Sequence, residues 1–266
     1  MLNRPIGVID SGVGGLTVLK ELKQQLPMEE FIYVGDTARC PYGSKQEEAV
    51  IKYAWEMVQY LLQFEIKMLV VACNTVTAIA LEAFKNELPI PVVGVIEPGA
   101  RAAVKETKTN KVAIIGTHIT IESNAYGKML KNMNRHIDPV EIACPNFVPL
   151  IEKGKTNDYE IKLAIDESLN VIKQDTSVDT LILGCTHYPI IQPAIESYFG
   201  EKVTILSSAE ETALEVNSIL TSNNLISQHR QSNRINIMLT GELNLFYKLQ
   251  ADYFQFTDFQ LERIKL

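Results

Sequence analysis

Short apolar runs alternate along the chain with longer stretches in which apolar residues recur every three or four positions. Ile6 to Ile9 reads as a strand, and Leu16, Leu19, Leu22 and Leu26 follow at helical spacing. Phe31 to Val34 is the next short run. A helix is predicted after it, from about Ser44, a candidate N-cap, to Phe64. Met68 to Ala72 is strongly apolar and predicts a buried strand, with a helix behind it through about Glu87. Val92 to Ile96 predicts another strand, ended by Pro98-Gly99. The alternation restarts at Val112 to Ile115, Thr180 to Leu183, Val203 to Leu206 and Ile235 to Leu239, with a last helix from about Glu242. Strands that are apolar throughout, separated by amphipathic helices, predict an α/β fold on buried parallel sheets.

In such sheets ligands bind at the carboxyl ends of the strands. The residues just past each run therefore matter most: Asp10-Ser11, Gly35-Asp36, Cys73-Asn74-Thr75, Gly116-Thr117 and Cys185-Thr186-His187. An internal echo runs through them. VIDSG (Val8 to Gly12) resembles IIGTH (Ile114 to His118), and VVACNT (Val70 to Thr75) resembles LILGCTH (Leu181 to His187). The echo sets Ser11 opposite Thr117 and Cys73 opposite Cys185. It predicts two pseudo-symmetric halves facing each other across a cleft.

Composition narrows the function. A chain of 266 residues, 46% apolar and 21% charged, can bury a sizeable core as one large domain or two small ones. Its net charge of -7 argues against nucleic-acid partners, while leaving room for a small anionic substrate in a local pocket. The most apolar stretch, Met68 to Leu81, is short and carries Asn74, Thr75 and Thr77, so no membrane-spanning segment is expected. The amino terminus, MLNRPIGVID, lacks a signal-peptide core, and the expected setting is reducing cytoplasm. Cys40, Cys73, Cys144 and Cys185 lie far apart, with no CxxC and no histidine at metal-ligand spacing, so neither a disulfide scaffold nor a metal site is predicted. The Gly12-Val13-Gly14-Gly15 turn does not fit a dinucleotide or Walker fingerprint and reads as a tight strand-to-helix turn.

Two cysteines at the ends of buried strands suggest one chemistry in particular. Each is expected to precede a helix, whose N–H groups and dipole would draw a thiol pKa towards neutrality and make it a usable base. One such cysteine suggests a nucleophile. Two, one per half, would flank a substrate from opposite sides. A carbon acid between them can lose a proton to one and regain it from the other, which inverts that carbon. For an amino acid this is racemisation. Its developing negative charge needs donors, and Ser11, Asn74, Thr75, Thr117 and Thr186 are of the right type. Asp10 and His187 could pair with the substrate ammonium or tune the thiols.

The segments GVIDSGVGGLTV (Gly7 to Val18), YVGDTARCPYGSK (Tyr33 to Lys45), ACNTVTA (Ala72 to Ala78), GVIEPG (Gly94 to Gly99) and LGCTHYP (Leu183 to Pro189) closely resemble the bacterial glutamate racemase family. The resemblance implies two flavodoxin-like parallel-sheet domains, 1–97 with 207–266 and 98–206, and allows a homodimer. It implies a cofactor-independent two-base enzyme that interconverts L- and D-glutamate, supplying D-glutamate for peptidoglycan. It carries the two bases onto Cys73 and Cys185. Substrate binding falls to Asp10, Ser11, Pro41, Tyr42, Gly43, Asn74, Thr75, Thr117, Thr186 and His187, with Glu152 in CPNFVPLIEKG as a supporting acid. Two positions depart from the pattern: Asn146 replaces an apolar residue, and Ser207-Ser208 replaces an Asp-Ser pair.

Three other readings stand beside this one: the same fold acting on aspartate or another small acid, a catalytically silent periplasmic-type binding module with a two-lobed cleft, and a cysteine hydrolase with a single nucleophile. Cys40 and Cys144 are expected to be inert, Cys40 near the site and Cys144 in the core. His118, His136 and His229 are expected at the surface or on helix faces.

Overall fold

The computed structural model describes residues 2–227 and 235–266. His229 lies outside them. Ten strands are present among the described residues: β1 (Ile6–Asp10), β2 (Phe31–Gly35), β3 (Met68–Val71), β4 (Val92–Gly94), β5 (Lys111–Gly116), β6 (Asp138–Ala143), β7 (Thr180–Gly184), β8 (Thr204–Ser207), β9 (Ile235–Leu239) and β10 (Phe259–Arg263). They form a six-stranded sheet, β10-β9-β2-β1-β3-β4, and a four-stranded sheet, β6-β5-β7-β8. Every pairing is parallel. The order β2-β1-β3-β4 recurs as β6-β5-β7-β8, so the echo in the sequence marks two halves wound in the same flavodoxin-like sense.

Strands β1, β2, β3 and β7 are buried at every residue. Helices cover both faces of a parallel sheet, which is why these runs are apolar without alternation. The helices Leu16–Gln25, Ile96–Glu106 and Ser208–Ser222 pack on one another where the two sheets meet. Ser207 caps the last of these, its hydroxyl oxygen accepting the Ala209 N–H at 3.3 Å, so the serine pair that departs from the family pattern has a local role. Asn146 is exposed and leads into the helix Phe147–Glu152, so a polar residue costs nothing there.

The structure corrects several boundaries. The second helix is Glu47–Leu62 with Gln46 at its N-cap, and Ser44 lies in the turn before it. Glu47 and Glu48 in its first turn suit the positive end of the dipole. Strand β4 ends at Gly94, and Pro98-Gly99 fall inside the helix Ile96–Glu106. Proline is tolerated in a first turn, where its missing N–H has no partner to lose. Strands β6 and β10 escape the apolar pattern because each is a partly exposed edge strand, and β6 carries Pro139.

At the amino ends of the strands, remote from the cleft, Lys67 and Glu29 form an ion pair of 2.6 Å with each side chain only 1% exposed. Lys67 Nζ also donates to the carbonyls of Leu2 and Leu225, and Glu29 accepts from the backbone N–H and hydroxyl of Ser227. The network pins the chain leaving the helix Ser208–Ser222 beneath the first sheet. Lys67→Ala leaves the Glu29 carboxylate buried without its cation and is expected to cost about 3–5 kcal/mol. Urea unfolding of the variant measures this, and a loss below about 1 kcal/mol would contradict the buried pairing.

Candidate active site

Strands β1, β3, β5 and β7 point their carboxyl ends at a single cleft. The residues that follow them, Ser11, Cys73-Asn74-Thr75, Thr117 and Cys185-Thr186-His187, line one small pocket with Pro41, Tyr42, Gly43 and Val148. One thiol enters from each sheet. The pocket is nearly closed, with Cys73 4% and Cys185 6% exposed. Of the residues singled out in the sequence, Asp10 and Glu152 do not line it and stand directly behind it, and the strand-end residues Gly35, Asp36 and Gly116 do not line it either.

Cys73 is the N-cap of the helix Asn74–Glu87, as the sequence suggests. Cys185 instead leads into a short 3-10 turn, Tyr188–Ile191, so only one thiol faces a full α-helix. The expected fall of a helix-capping thiol towards neutrality is not what the surroundings of Cys73 produce. Burial, and then the negative charge of Asp10, push this thiol up to about 12, against the Val76 N–H and the Ser11 hydroxyl. In a pocket this dry, desolvation outweighs the helix terminus. Cys73 Sγ lies 3.7 Å from Ser11 Oγ.

Asp10 is fully buried at the end of β1. It accepts the Gly12 N–H at 2.9 Å and the Thr186 hydroxyl at 3.1 Å, so it shapes its own turn and reaches the other sheet. Burial raises its pKa, opposed by the charge of His187 and the N–H groups of Gly12 and Gly15. The glycine turn is packed shut: a Cβ on Gly14 would collide with the His187 ring, and one on Gly15 with the Asp10 side chain. It leaves no open cradle for a phosphate.

On the Cys185 side the neighbours are charged. His187 Nε2 lies 2.7 Å from Glu152 Oε1. Burial alone would lower the His187 pKa, but hydrogen bonds to Cys185 and Glu152, with their negative charge, hold it well above the usual 6.5. Burial would raise Glu152, yet its bond to His187 holds it below 4.5. The pair is thus an imidazolium facing a carboxylate, beside Cys185.

Hydroxyls join the two halves. Thr75 Oγ1 is 2.9 Å from Thr117 Oγ1, which is 3.0 Å from Thr120 Oγ1. Tyr126 donates to Asn74 Oδ1 at 2.7 Å, leaving Asn74 Nδ2 buried with no partner among the described residues. An idle amide donor in the pocket wall is suited to an anionic ligand. The loop carrying Pro41-Tyr42-Gly43 is anchored by Asp36, which accepts from the Tyr42 hydroxyl, the Thr240 hydroxyl at 2.8 Å and the Arg39 guanidinium.

Sequence reasoning missed Val148, an apolar helix residue with nothing to mark it, and the supporting Tyr126 and Thr120. Cys40 does sit beside the site, its Sγ 3.6 Å from Glu152 Oε1, and burial with the nearby Glu152 and Asp10 charges pushes its thiol well above 9.0. Cys144 is in the core, and its carbonyl accepts the Tyr188 hydroxyl at 3.1 Å. His118 and His136 are exposed.

The bond between His187 and Glu152 has a measurable signature. Because the folded state raises the His187 pKa and lowers that of Glu152, this contribution to stability is complete between about pH 4.5 and 6.5, and it is lost as pH rises through the higher His187 value or falls through the lower Glu152 value. Glu152→Gln is expected to lower the His187 pKa in an NMR titration, and an unmoved titration would contradict the pairing.

The family described as Asp/Glu/Hydantoin racemase matches residues 6–216. The chain is 47% identical over 264 residues to a glutamate racemase of Oceanobacillus iheyensis, covering 99% of this chain and 96% of that one. Its fold is similar to the crystal structure of a Bacillus anthracis glutamate racemase, with a TM-score of 0.95, 40% identity and coverage of 100% and 99%. It is also similar to a Francisella tularensis glutamate racemase in complex with D-glutamate, with a TM-score of 0.91, 34% identity and coverage of 100% and 98%.

Proposed function

The chain belongs to the aspartate, glutamate and hydantoin racemase family, and we propose that it interconverts L- and D-glutamate by a two-base route that uses no cofactor. One observation carries this reading: two thiols, Cys73 from the first sheet and Cys185 from the second, line the same pocket. A glutamate whose Cα sits between them loses its proton to one sulfur and gains a proton from the other on the opposite face. The roles exchange when the substrate has the other hand. Burial and the charge of Asp10, which push the Cys73 thiol up to about 12, favour its protonated, proton-donating form.

The other lining groups fit the remaining demands. Asn74, whose amide N–H group is unpartnered, and the hydroxyls of Ser11, Thr75, Thr117 and Thr186 can bind the carboxylates and take up the charge that builds on the α-carboxylate. Pro41, Tyr42 and Gly43 close the pocket from the first half. Asp10 and the pair of His187 with Glu152 act through the neighbouring thiols, holding protons on them or near them.

In this reading the cleft separates residues 1–97 with 207–266 from residues 98–206. The crossings fall in the first turn of the helix Ile96–Glu106 and where β8 meets the helix Ser208–Ser222. The product D-glutamate would serve peptidoglycan synthesis in the cytoplasm. No helix among the described residues is long and apolar enough to cross a membrane.

Cys73→Ala and Cys185→Ala are each expected to abolish racemisation in both directions, by on the order of 10³-fold or more, given what acid–base groups contribute. Full activity in either variant would sink the two-base route. In heavy water the product should carry deuterium at Cα, which NMR detects, and unlabelled product would exclude exchange through the thiols. Polarimetry with both enantiomers of glutamate and aspartate should show turnover of glutamate, and preference for aspartate would redirect the substrate assignment.

A further inference from the structure

We infer that Cys40, Glu152 and His187 form a binding site for a thiophilic divalent cation such as Zn²⁺, and that an ion held there inhibits the enzyme. The three donor atoms come from distant parts of the chain, which is why spacing in the sequence does not reveal them. In the fold, Cys40 Sγ, a Glu152 carboxylate oxygen and a His187 ring nitrogen all lie within 4.8 Å of one another. Zinc bonds of about 2.0–2.3 Å at tetrahedral angles place neighbouring donors about 3.3–3.5 Å apart. The distance from Cys40 Sγ to Glu152 Oε1, 3.6 Å, already suits this. The distance from Glu152 Oε1 to His187 Nε2, 2.7 Å, needs to open by about 0.6 Å, the change expected when an ion replaces the shared proton.

Gly12 packs against two of the donors. A Cβ there would lie 2.9 Å from Cys40 Sγ and 3.5 Å from Glu152 Oε1, so any side chain at this position would crowd them. Glu152 offers the approach: it is 27% exposed and lines a surface pocket with Thr37, Lys153, Asn244 and Lys248, none of which lines the pocket of the two thiols. Thiolate, imidazole and carboxylate together favour zinc-like ions over magnesium or calcium, and three protein ligands leave a fourth position for water. Coordination releases the Cys40 thiol proton and the His187 Nε2 proton to the buffer, leaving a thiolate and a neutral imidazole on the metal. An ion so placed takes His187 and Glu152 away from Cys185, which is the basis of inhibition under the two-base reading. The binding itself does not depend on that reading.

The test uses Co²⁺ as a spectroscopic probe and Zn²⁺ as its competitor, each added alone to the full chain. The wild type should bind one Co²⁺ with a thiolate charge-transfer band in the near ultraviolet, and Zn²⁺ should displace it and suppress turnover. Cys40→Ser should lose the band, weaken Zn²⁺ binding by on the order of tenfold or more, and resist Zn²⁺ relative to its own metal-free rate. Cys73→Ala should keep both band and affinity. The site is overturned if Cys40→Ser binds like the wild type, if Cys73→Ala loses the ion, or if the wild type binds none. Turnover unaffected at saturating Zn²⁺ overturns the inhibition. Should Cys40→Ser fail to fold, Glu152→Gln is the second variant, expected to weaken Co²⁺ and Zn²⁺ binding by a similar factor. Binding is read without turnover, so failure here is separable from failure of the racemase reading.

Discussion

The carboxylate of Asp10 is held at the point where both sheets end, and the arrangement of the site follows from it. One oxygen accepts the Gly12 N–H and sets the turn that carries Ser11, while the other accepts the Thr186 hydroxyl from the opposite sheet. The pocket is made from strand-end turns of two separate sheets, so its geometry is only as good as their mutual placement. A neutral seam completes that placement: Thr75 to Thr117, Thr17 Oγ1 to the Thr186 carbonyl at 3.2 Å, and Gly43 packed so close to Thr117 that no side chain fits. An aliphatic residue at position 10 would remove the turn and the bridge together.

The two halves share a winding order but not an electrostatic character. Aligned by their echo, Cys73-Asn74-Thr75 corresponds to Cys185-Thr186-His187. Where the first half has a threonine hydroxyl, the second has an imidazolium paired with Glu152. Cys73 has the Ser11 hydroxyl and a buried acid beside it, while Cys185 stands beside the pair of His187 and Glu152. Repeated topology supplies two equivalent positions for sulfur, and the divergent third residue makes them chemically distinct.

The strand ends were the most legible part of the sequence. A parallel sheet buried on both faces demands continuous apolar runs, so Ile6 to Ile9, Met68 to Ala72 and Thr180 to Leu183 announce themselves, and the polar residues that follow are the pocket wall. The family motifs added Pro41-Tyr42-Gly43 and Glu152, which no periodicity marks. Edge strands were hidden because Asp138–Ala143 and Phe259–Arg263 keep one side wet and need no such run. Val148 and Tyr126 were hidden because an apolar or aromatic residue on a helix reads as core until the fold turns it towards the cleft. The rise of the Cys73 pKa could not be read either, since local sequence shows a helix cap but not the depth of burial around it.

The near-complete enclosure of the two sulfurs has a kinetic meaning. With Thr75 touching Thr117 and Gly43 resting on the same side chain, the rate at which a ligand enters depends on how readily these cross-cleft contacts give way. The threonine contacts among them are neutral hydroxyl bonds, each worth about 0.5–1.5 kcal/mol net, whereas the Asp10 carboxyl that accepts the Thr186 hydroxyl is a fully buried tie behind the pocket. The cleft is thus latched more lightly at the threonines than at the buried acid behind them.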